Sequence, residues 1–163
     1  MSTSSNNIPK DVADDEIVLR TIFSPANIKN GKLKSNFMRP PIKYPDEDNP
    51  NIASNKLSVT RLKYMGIEFC RQHGKLHSSL PIRSYWGFAK FVAGNIRSLG
   101  ADVIASPSRS NKGHANIVLP FRQAIGEPLP AQMLKLAKDL AGCAEVIKDP
   151  DINAPSWKGR KIV

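Results

Sequence analysis

A chain of 163 residues with 40% apolar residues and 13 prolines can build one hydrophobic core and also contains irregular segments. No apolar run approaches the ~20 residues that cross a bilayer, and the N-terminus lacks the apolar stretch of a secretory signal. The two cysteines, Cys70 and Cys143, are too few and too far apart for a disulfide framework. We therefore expect a cytoplasmic protein without a membrane segment.

The net charge of +10 is unevenly distributed along the chain. Residues 1–50 hold seven bases and seven acids, whereas residues 51–163 hold seventeen bases and seven acids. Between Lys56 and Arg122 there are eleven bases and only two acids, Glu68 and Asp102. A field of this kind favours polyanionic partners such as nucleic acid or an acidic protein surface.

The first third of the chain predicts a tail, a strand, a hairpin and a long loop. Residues 1–15 are rich in Ser, Asn and Asp without periodicity and are typical of a disordered tail. The β-branched run at 16–23 predicts a strand, and Asn30-Gly31 predicts a hairpin turn because both central residues of a type I′ turn need positive φ. Four prolines and an acidic cluster between residues 38 and 55 predict a Pro-rich acidic surface loop at 40–55.

The middle of the chain predicts one strand and two helices. Residues 56–62 alternate like a strand, and residues 63–74 predict a short helix that Gly66 weakens. Residues 84–99 predict a longer helix, with Ser84 as N-cap, Gly100 after its end and one apolar face.

The last third predicts two strands around a polar loop, then a helix and a final strand. The strands lie near 101–107 and 114–120, the helix runs from Pro130 to about Gly142, and the last strand lies at 143–149. The whole pattern predicts a single small α+β domain at 16–150, with a mixed, mainly antiparallel sheet, two or three helices on one face and a basic tail at 151–163. A small α/β fold, or two sub-lobes divided at 40–55, are the alternatives.

Two groups of residues are candidates for anion or nucleic-acid binding. Lys90 and Arg97, seven residues apart, would share one flank of the helix predicted at 84–99. The loop before the strand at 114–120 is rich in hydrogen-bond donors and contains no acid, and its candidates are Ser108, Arg109, Asn111, Lys112 and His114.

Metal binding and catalysis have weaker support in the sequence. Cys70, His73 and His77 have the spacing of zinc ligands, but a second short-spaced pair is missing. Ser106 or Ser108 could be combined with His114 and Asp102, yet the Gly-x-Ser-x-Gly elbow is absent. The basic middle region has too few carboxylates for a magnesium-dependent nuclease, although a metal-independent nuclease using His and Lys stays open. Nucleotide-binding motifs are absent, so we expect no cofactor.

The segments LRTIF, IKNGKLKSNF and LSVTR resemble the opening strands of ADP-ribosyl-transferring toxins over about 45 residues. The resemblance implies that Arg20 and Ser58 hold a dinucleotide. The catalytic glutamate of such enzymes has only two late candidates here, Glu127 and Glu145.

Three functions follow as expectations from these features. The first is a basic, non-enzymatic module that binds nucleic acid or another polyanion as a subunit of a larger assembly. The second is a protein-interaction subunit for an acidic partner, with an apolar anchor formed by Trp86, Phe88, Phe91 or Trp157. The third is an enzyme resembling ADP-ribosyltransferases.

Overall fold

The computed structural model describes residues 7–40 and 44–163, and an antiparallel sheet of six strands organises them. The strands of this sheet are β1 (Ile17–Pro25), β4 (Lys56–Arg61), β5 (Arg83–Val92), β6 (Asp102–Ala105), β7 (His114–Val118) and β8 (Glu145–Lys148). Their order across the sheet is β6-β7-β4-β1-β5-β8. The helices are α1 (Leu62–Met65), α2 (Ile67–Leu76), α3 (Ala93–Ser98) and α4 (Ala131–Cys143). The predicted α+β class, as one small domain, is confirmed.

Apolar side chains cover both faces of the sheet. On one face, Val18, Phe91 and Ile117 form the main core together with residues of α3 and α4, such as Ile96 and Leu140. Successive side chains of a strand point to opposite faces of the sheet, so the residues that face this core recur with a period of two.

The opposite face carries a smaller core under α2. Leu19, Cys70, Tyr85 and Phe88 are buried there, and Trp157 of the C-terminal segment packs against them. The sequence predicted helices on one face; α3 and α4 lie on that face, whereas α2 lies on the other. The largest group of polar side chains described below lies beside α2.

The predicted hairpin is present as β2 (Ile28–Lys29) and β3 (Lys32–Leu33). Asn30 and Gly31 have φ values of 52° and 75°, as a type I′ turn requires.

The helix predicted over residues 84–99 is wrong. Residues 83–92 form β5, which pairs with β1 and β8, and only residues 93–98 are helical. The middle of β5 is buried on both faces, with Phe88 in the smaller core and Ala89 and Phe91 in the main core. A strand of this kind has a nearly continuous apolar sequence, which a helical template can also match.

Residues near the two ends of the chain contact the domain. Arg61 donates hydrogen bonds to the carbonyls of Pro9 and Asp11, and Val12 is buried in the main core. Residues 1–6 of the predicted disordered tail lie outside the described residues. In the basic tail, Arg160 forms an ion pair with Glu145.

Residues 41–43 of the predicted Pro-rich loop lie outside the described residues. In the part from Tyr44 onward, Pro45 bridges to Ala53 and Ile52 bridges to Ala124. Within the described ranges, no helix has the length and apolarity needed to cross a membrane.

Candidate functional site

A pocket of about 430 Å³ lies between the centre of the sheet and α2. Its floor comes from β1 and β4, one wall comes from the end of α2, and the other comes from the loop before β7. The polar side chains that line it are those of Arg20, Thr21, Asn27, Ser58, Thr60, His73, His77, Arg83, Ser108, Asn111 and His114.

Arg20 occupies the floor, where β1 and β4 cease to pair closely. The register between these strands includes Val18 opposite Arg61 and Leu19 opposite Thr60. Further along, the guanidinium of Arg20 donates from Nη1 to the carbonyl oxygen of Ser58 at 3.0 Å. A side chain therefore bridges the two strands at the bottom of the pocket.

The charge of the half-buried Arg20 is balanced differently from the charges of the two fully buried arginines, Arg61 and Arg71. Arg61 is paired with the carboxylate of Glu16 at 2.8 Å, and Arg71 is paired with that of Asp149 at 2.8 Å. Arg20 instead donates to the carbonyls of Ser58 and Phe37, and it is close enough to a second cation, Arg83, to be affected by its charge.

Burial and the proximity of Arg83 lower the pKa of Arg20 to about 10, so that it is still a cation at neutral pH. Arg83 itself lies over the ring of Phe23, 4.3 Å from the ring centroid. Among the described residues that line the pocket, none is Asp or Glu. Two cations that share a pocket without a carboxylate make it attractive to an anion.

Backbone carbonyls fix the orientation of two histidines in the pocket. His114 Nδ1 lies 2.8 Å from the carbonyl oxygen of Ser106, and His77 Nδ1 lies 2.8 Å from that of His73. A carbonyl oxygen can only accept, so Nδ1 carries the hydrogen in both rings. Nε2 of each ring is then free to accept a proton from a ligand or to donate one to it.

His73 lies between two aromatic neighbours, Phe69 on α2 and His77 just after the end of that helix. Its ring stacks on Phe69 with centroids 5.6 Å apart and lies 4.3 Å from the ring of His77. Burial, followed by the charges of His77 and His114, lowers the pKa of His73 below its usual value. His73 is therefore neutral at physiological pH, and the effect of His114 means that the three histidines share one electrostatic environment.

Gly74 allows α2 to lie close to the sheet at this wall. A Cβ at this position would come within 2.8 Å of Tyr85 Cδ2 and 3.0 Å of Thr21 Cγ2. The buried Arg71 reinforces this placement, because it joins α2 to Asp149 and to the carbonyls of Asp151 and Ala154.

The loop before β7 folds over the sheet as an ordered wall. Asn111 is 1% exposed, donates from Nδ2 to Thr60 Oγ1 at 2.9 Å and accepts from the backbone N–H of Gly113. The hydroxyl of Ser108 accepts from the backbone N–H of Asn111 at 3.0 Å. These bonds hold Ser108, Asn111 and His114 on the pocket.

The other predicted anion-binding residues lie elsewhere. Lys90 is on a strand, where it pairs with Glu145 at 3.4 Å and donates to the carbonyl of Val163. Arg97 pairs with Asp14 at 2.6 Å and Asp102 at 2.8 Å. The shared helical flank predicted for these two bases is therefore wrong. Arg109 is exposed on the loop, and Lys112 lines a different depression beside Pro9.

Cys70, His73 and His77 do not converge as the zinc spacing suggested. Cys70 is 3% exposed in the smaller core, and burial raises the pKa of its thiol to about 12. His73 and His77 face the pocket instead. In the part of the chain that the structure describes, no three His, Cys, Asp or Glu side chains are grouped to hold a metal ion.

Some of the residues that the resemblance to ADP-ribosyl-transferring toxins and the predicted apolar anchor singled out line the pocket, and others do not. Arg20 and Ser58 both line the pocket. Glu127 is exposed, and Glu145 pairs with Arg160 and Lys90, so that neither glutamate lines it. Of the predicted apolar anchors, Phe88 and Phe91 are in the interior, and Trp86 and Trp157 are partly buried against it.

Comparisons of the chain with protein-family models, curated proteins and solved structures give no significant match. The fold and site together define an α+β protein with a cationic, histidine-rich pocket on its sheet. Sequence reasoning did not identify His73, His77 and Arg83 as anion-binding residues. One signal for Arg20 was available: it is a lone cation within the apolar run IVLRTIF.

Proposed function

We propose that this chain binds single-stranded nucleic acid and seats one backbone phosphate in the pocket that contains Arg20 and Arg83. The observation that carries this proposal is the presence of these two cations, with no carboxylate among the described lining residues, in a pocket whose other polar side chains are hydroxyls, amides and histidines. Guanidinium groups and hydroxyl or amide donors are the usual partners of a phosphate.

The size of the pocket and the charge around it favour a strand over a duplex. A cavity of about 430 Å³ can take one nucleotide unit and is too small to enclose a double helix. The rest of the strand would lie on the surface of a chain whose excess of ten positive charges is carried by residues 51–163. The exposed Arg109 on the loop before β7 and the half-buried Lys75 on α2 extend the cationic surface.

The test is fluorescence anisotropy with short labelled oligonucleotides of DNA and 2′-O-methyl RNA. We expect an affinity that falls with salt, because each neutralised phosphate releases counterions. The Arg83→Gln variant should bind about tenfold or more weakly and should reduce the steepness of the salt dependence by about one phosphate contact.

The matched control is Lys138→Gln, which removes the same charge from the exposed side of α4 on the opposite face of the sheet. We expect it to change the affinity by less than about twofold. If the wild-type protein binds neither oligonucleotide, or if the two variants weaken binding equally, the pocket is not the binding site and the proposal fails.

A second candidate is supported by one observation: Arg20 and Ser58, which the resemblance to ADP-ribosyl-transferring toxins singled out, line the same pocket. A dinucleotide such as NAD also offers phosphates to Arg20. Among the described residues that line the pocket there is no glutamate of the kind that the resemblance would require, so this candidate is second.

Thermal denaturation with and without NAD tests this alternative, since a ligand of the native state raises the unfolding temperature. A rise that Arg20→Met abolishes, together with transfer of label from NAD to protein or nucleic acid, would favour it. An unchanged unfolding temperature at millimolar NAD would remove it.

A further inference from the structure

We propose that the pocket cleaves RNA by transesterification without a metal ion, with His114 as general base and His77 as general acid. This inference rests on the proposed function, because it requires a strand whose phosphate occupies the pocket. It adds a reaction and restricts the substrate to RNA, since the 2′-hydroxyl is the nucleophile.

The orientation of the histidines provides the proton-transfer groups. The carbonyl of Ser106 holds Nδ1–H of His114, and the carbonyl of His73 holds Nδ1–H of His77. In each ring Nε2 is therefore the atom that exchanges a proton with a ligand, and the carbonyl continues to accept from Nδ1 when the ring is protonated.

The two rings belong to different walls of the pocket. His114 begins β7 and is half-buried, whereas His77 follows the last turn of α2 and is exposed at the mouth. A phosphate between these walls would have one histidine on the side of the nucleophile and the other on the side of the leaving group, as in-line displacement requires. The departing strand would leave on the open side, beside His77.

Arg20 and Arg83 would stabilise the charge that builds up on phosphorus. Both are cations on the pocket, and no carboxylate among the described lining residues offsets them. Two positive charges near the non-bridging oxygens favour a dianionic phosphorane over the monoanionic phosphodiester, and this difference accelerates the reaction.

The chemical step balances without another reactant. His114 Nε2 takes the proton of the 2′-hydroxyl as the 2′-oxygen forms a bond to phosphorus. The bond from phosphorus to the 5′-oxygen breaks, and protonated His77 gives its Nε2 proton to that oxygen. The products are a 2′,3′-cyclic phosphate and a 5′-hydroxyl end, and proton exchange with water restores both rings.

The experiment incubates the full chain with labelled RNA, DNA and 2′-O-methyl RNA in the presence of EDTA. We expect cleavage of RNA alone and a 2′,3′-cyclic phosphate at the new end. His114→Asn and His77→Asn should each slow cleavage about 100-fold or more, the range for loss of a general acid or base, and this factor should be much larger than any loss of 2′-O-methyl RNA binding. Lys138→Gln, purified in the same way, controls for contaminating nuclease.

A substrate with sulfur in place of the scissile 5′-oxygen separates the two roles. Sulfur leaves without a proton, so this substrate should restore cleavage by His77→Asn and leave His114→Asn slow. Because His77 is exposed, its variant is expected to fold even if the half-buried His114 does not tolerate change.

The outcomes separate the two proposals. Binding of all three oligonucleotides with intact RNA after prolonged incubation overturns the catalytic inference and leaves the proposed function in place. Absence of binding overturns both. Cleavage that is equal in the wild type and in both histidine variants overturns the inference, because it locates the activity outside this pocket.

Discussion

Replacing the buried Arg71 by a neutral residue should lower the free energy of unfolding of the domain more than any surface substitution does. Arg71 and Asp149 are each 0% exposed in their side chains, with Nε and Oδ2 2.8 Å apart. Tyr85 also donates to Asp149 Oδ2 at 2.8 Å, so Arg71→Met leaves a buried carboxylate with one neutral side-chain donor. Loss of one partner of a buried pair lowers the free energy of unfolding by about 3–5 kcal/mol.

This loss is large compared with the roughly 5–15 kcal/mol that stabilises a domain. With a urea dependence of about 2 kcal/mol per molar, the unfolding midpoint of Arg71→Met should fall by about 2 M. Asp149→Asn should cause a similar fall, and the double variant should lose less than the sum, because the residues share one interaction. Lys135→Met, which breaks the exposed pair with Asp139, should change stability by less than about 0.5 kcal/mol.

Acid adds a second measurement of the same interaction. Burial by itself would raise the pKa of Asp149, but hydrogen bonds from Arg71 and Tyr85 bring it below the usual value. The carboxylate therefore stabilises the fold above its unfolded pKa of about 4, and this stabilisation disappears as the pH falls through the native pKa. The difference in the free energy of unfolding between wild type and Asp149→Asn should therefore become smaller as the pH falls below about 4. Additive midpoint shifts, or single variants within about 0.3 M of wild type, would refute the reasoning.

Three further predictions concern the sheet and the pocket. Gly87→Ala should lower the free energy of unfolding, measured in urea titrations, by about 3 kcal/mol or more, because its Cβ would collide with the backbone of β8. Gly142 lies in α4 with open space around its Cβ position, so Gly142→Ala should raise the free energy of unfolding by up to about 1 kcal/mol. Burial, followed by the charges of His77 and His114, lowers the native pKa of His73. Its neutral form therefore stabilises the fold above the unfolded pKa of about 6.5, and this contribution is lost as the pH falls through the native pKa. His73→Asn should reduce the pH dependence of the unfolding temperature below about pH 6.5. Arg20→Met should weaken oligonucleotide binding about tenfold or more yet lower unfolding stability less than Arg71→Met does, because Arg20 has no carboxylate partner to leave buried. Equal stability losses for these two variants would contradict this last expectation.

Local chemistry made much of the fold predictable. The β-branched run of β1, the Asn30-Gly31 turn and the apolar stripe of α4 each have a short-range cause that the sequence contains. Strand β5 was mistaken for a helix because burial on both faces removes the alternation that identifies a strand. Its aromatic residues, which favour strands, were the better indication.

The site was less predictable because sheet topology assembles it. Arg20 and His114 are far apart in sequence, and they come together because β4 lies between β1 and β7. The loop residues Ser108 and Asn111 were identified from composition, whereas Lys90 and Arg97 were selected from a charge pattern. A charge pattern does not reveal which carboxylates the fold brings to each base, and both bases have acidic partners here.

The useful distinction among the cations of this protein is therefore the partner that each one has in the folded state. Arg61 and Arg71 are buried with carboxylates, so their charges are satisfied within the chain. Arg20 has carbonyl acceptors and lies near a second cation, so its charge is only partly compensated. A bound anion would supply the missing compensation, and by linkage the ligand would stabilise the native state as it binds. Net charge alone favours an anion somewhere on the surface, whereas the partly compensated Arg20 identifies the pocket in which we propose that the anion binds.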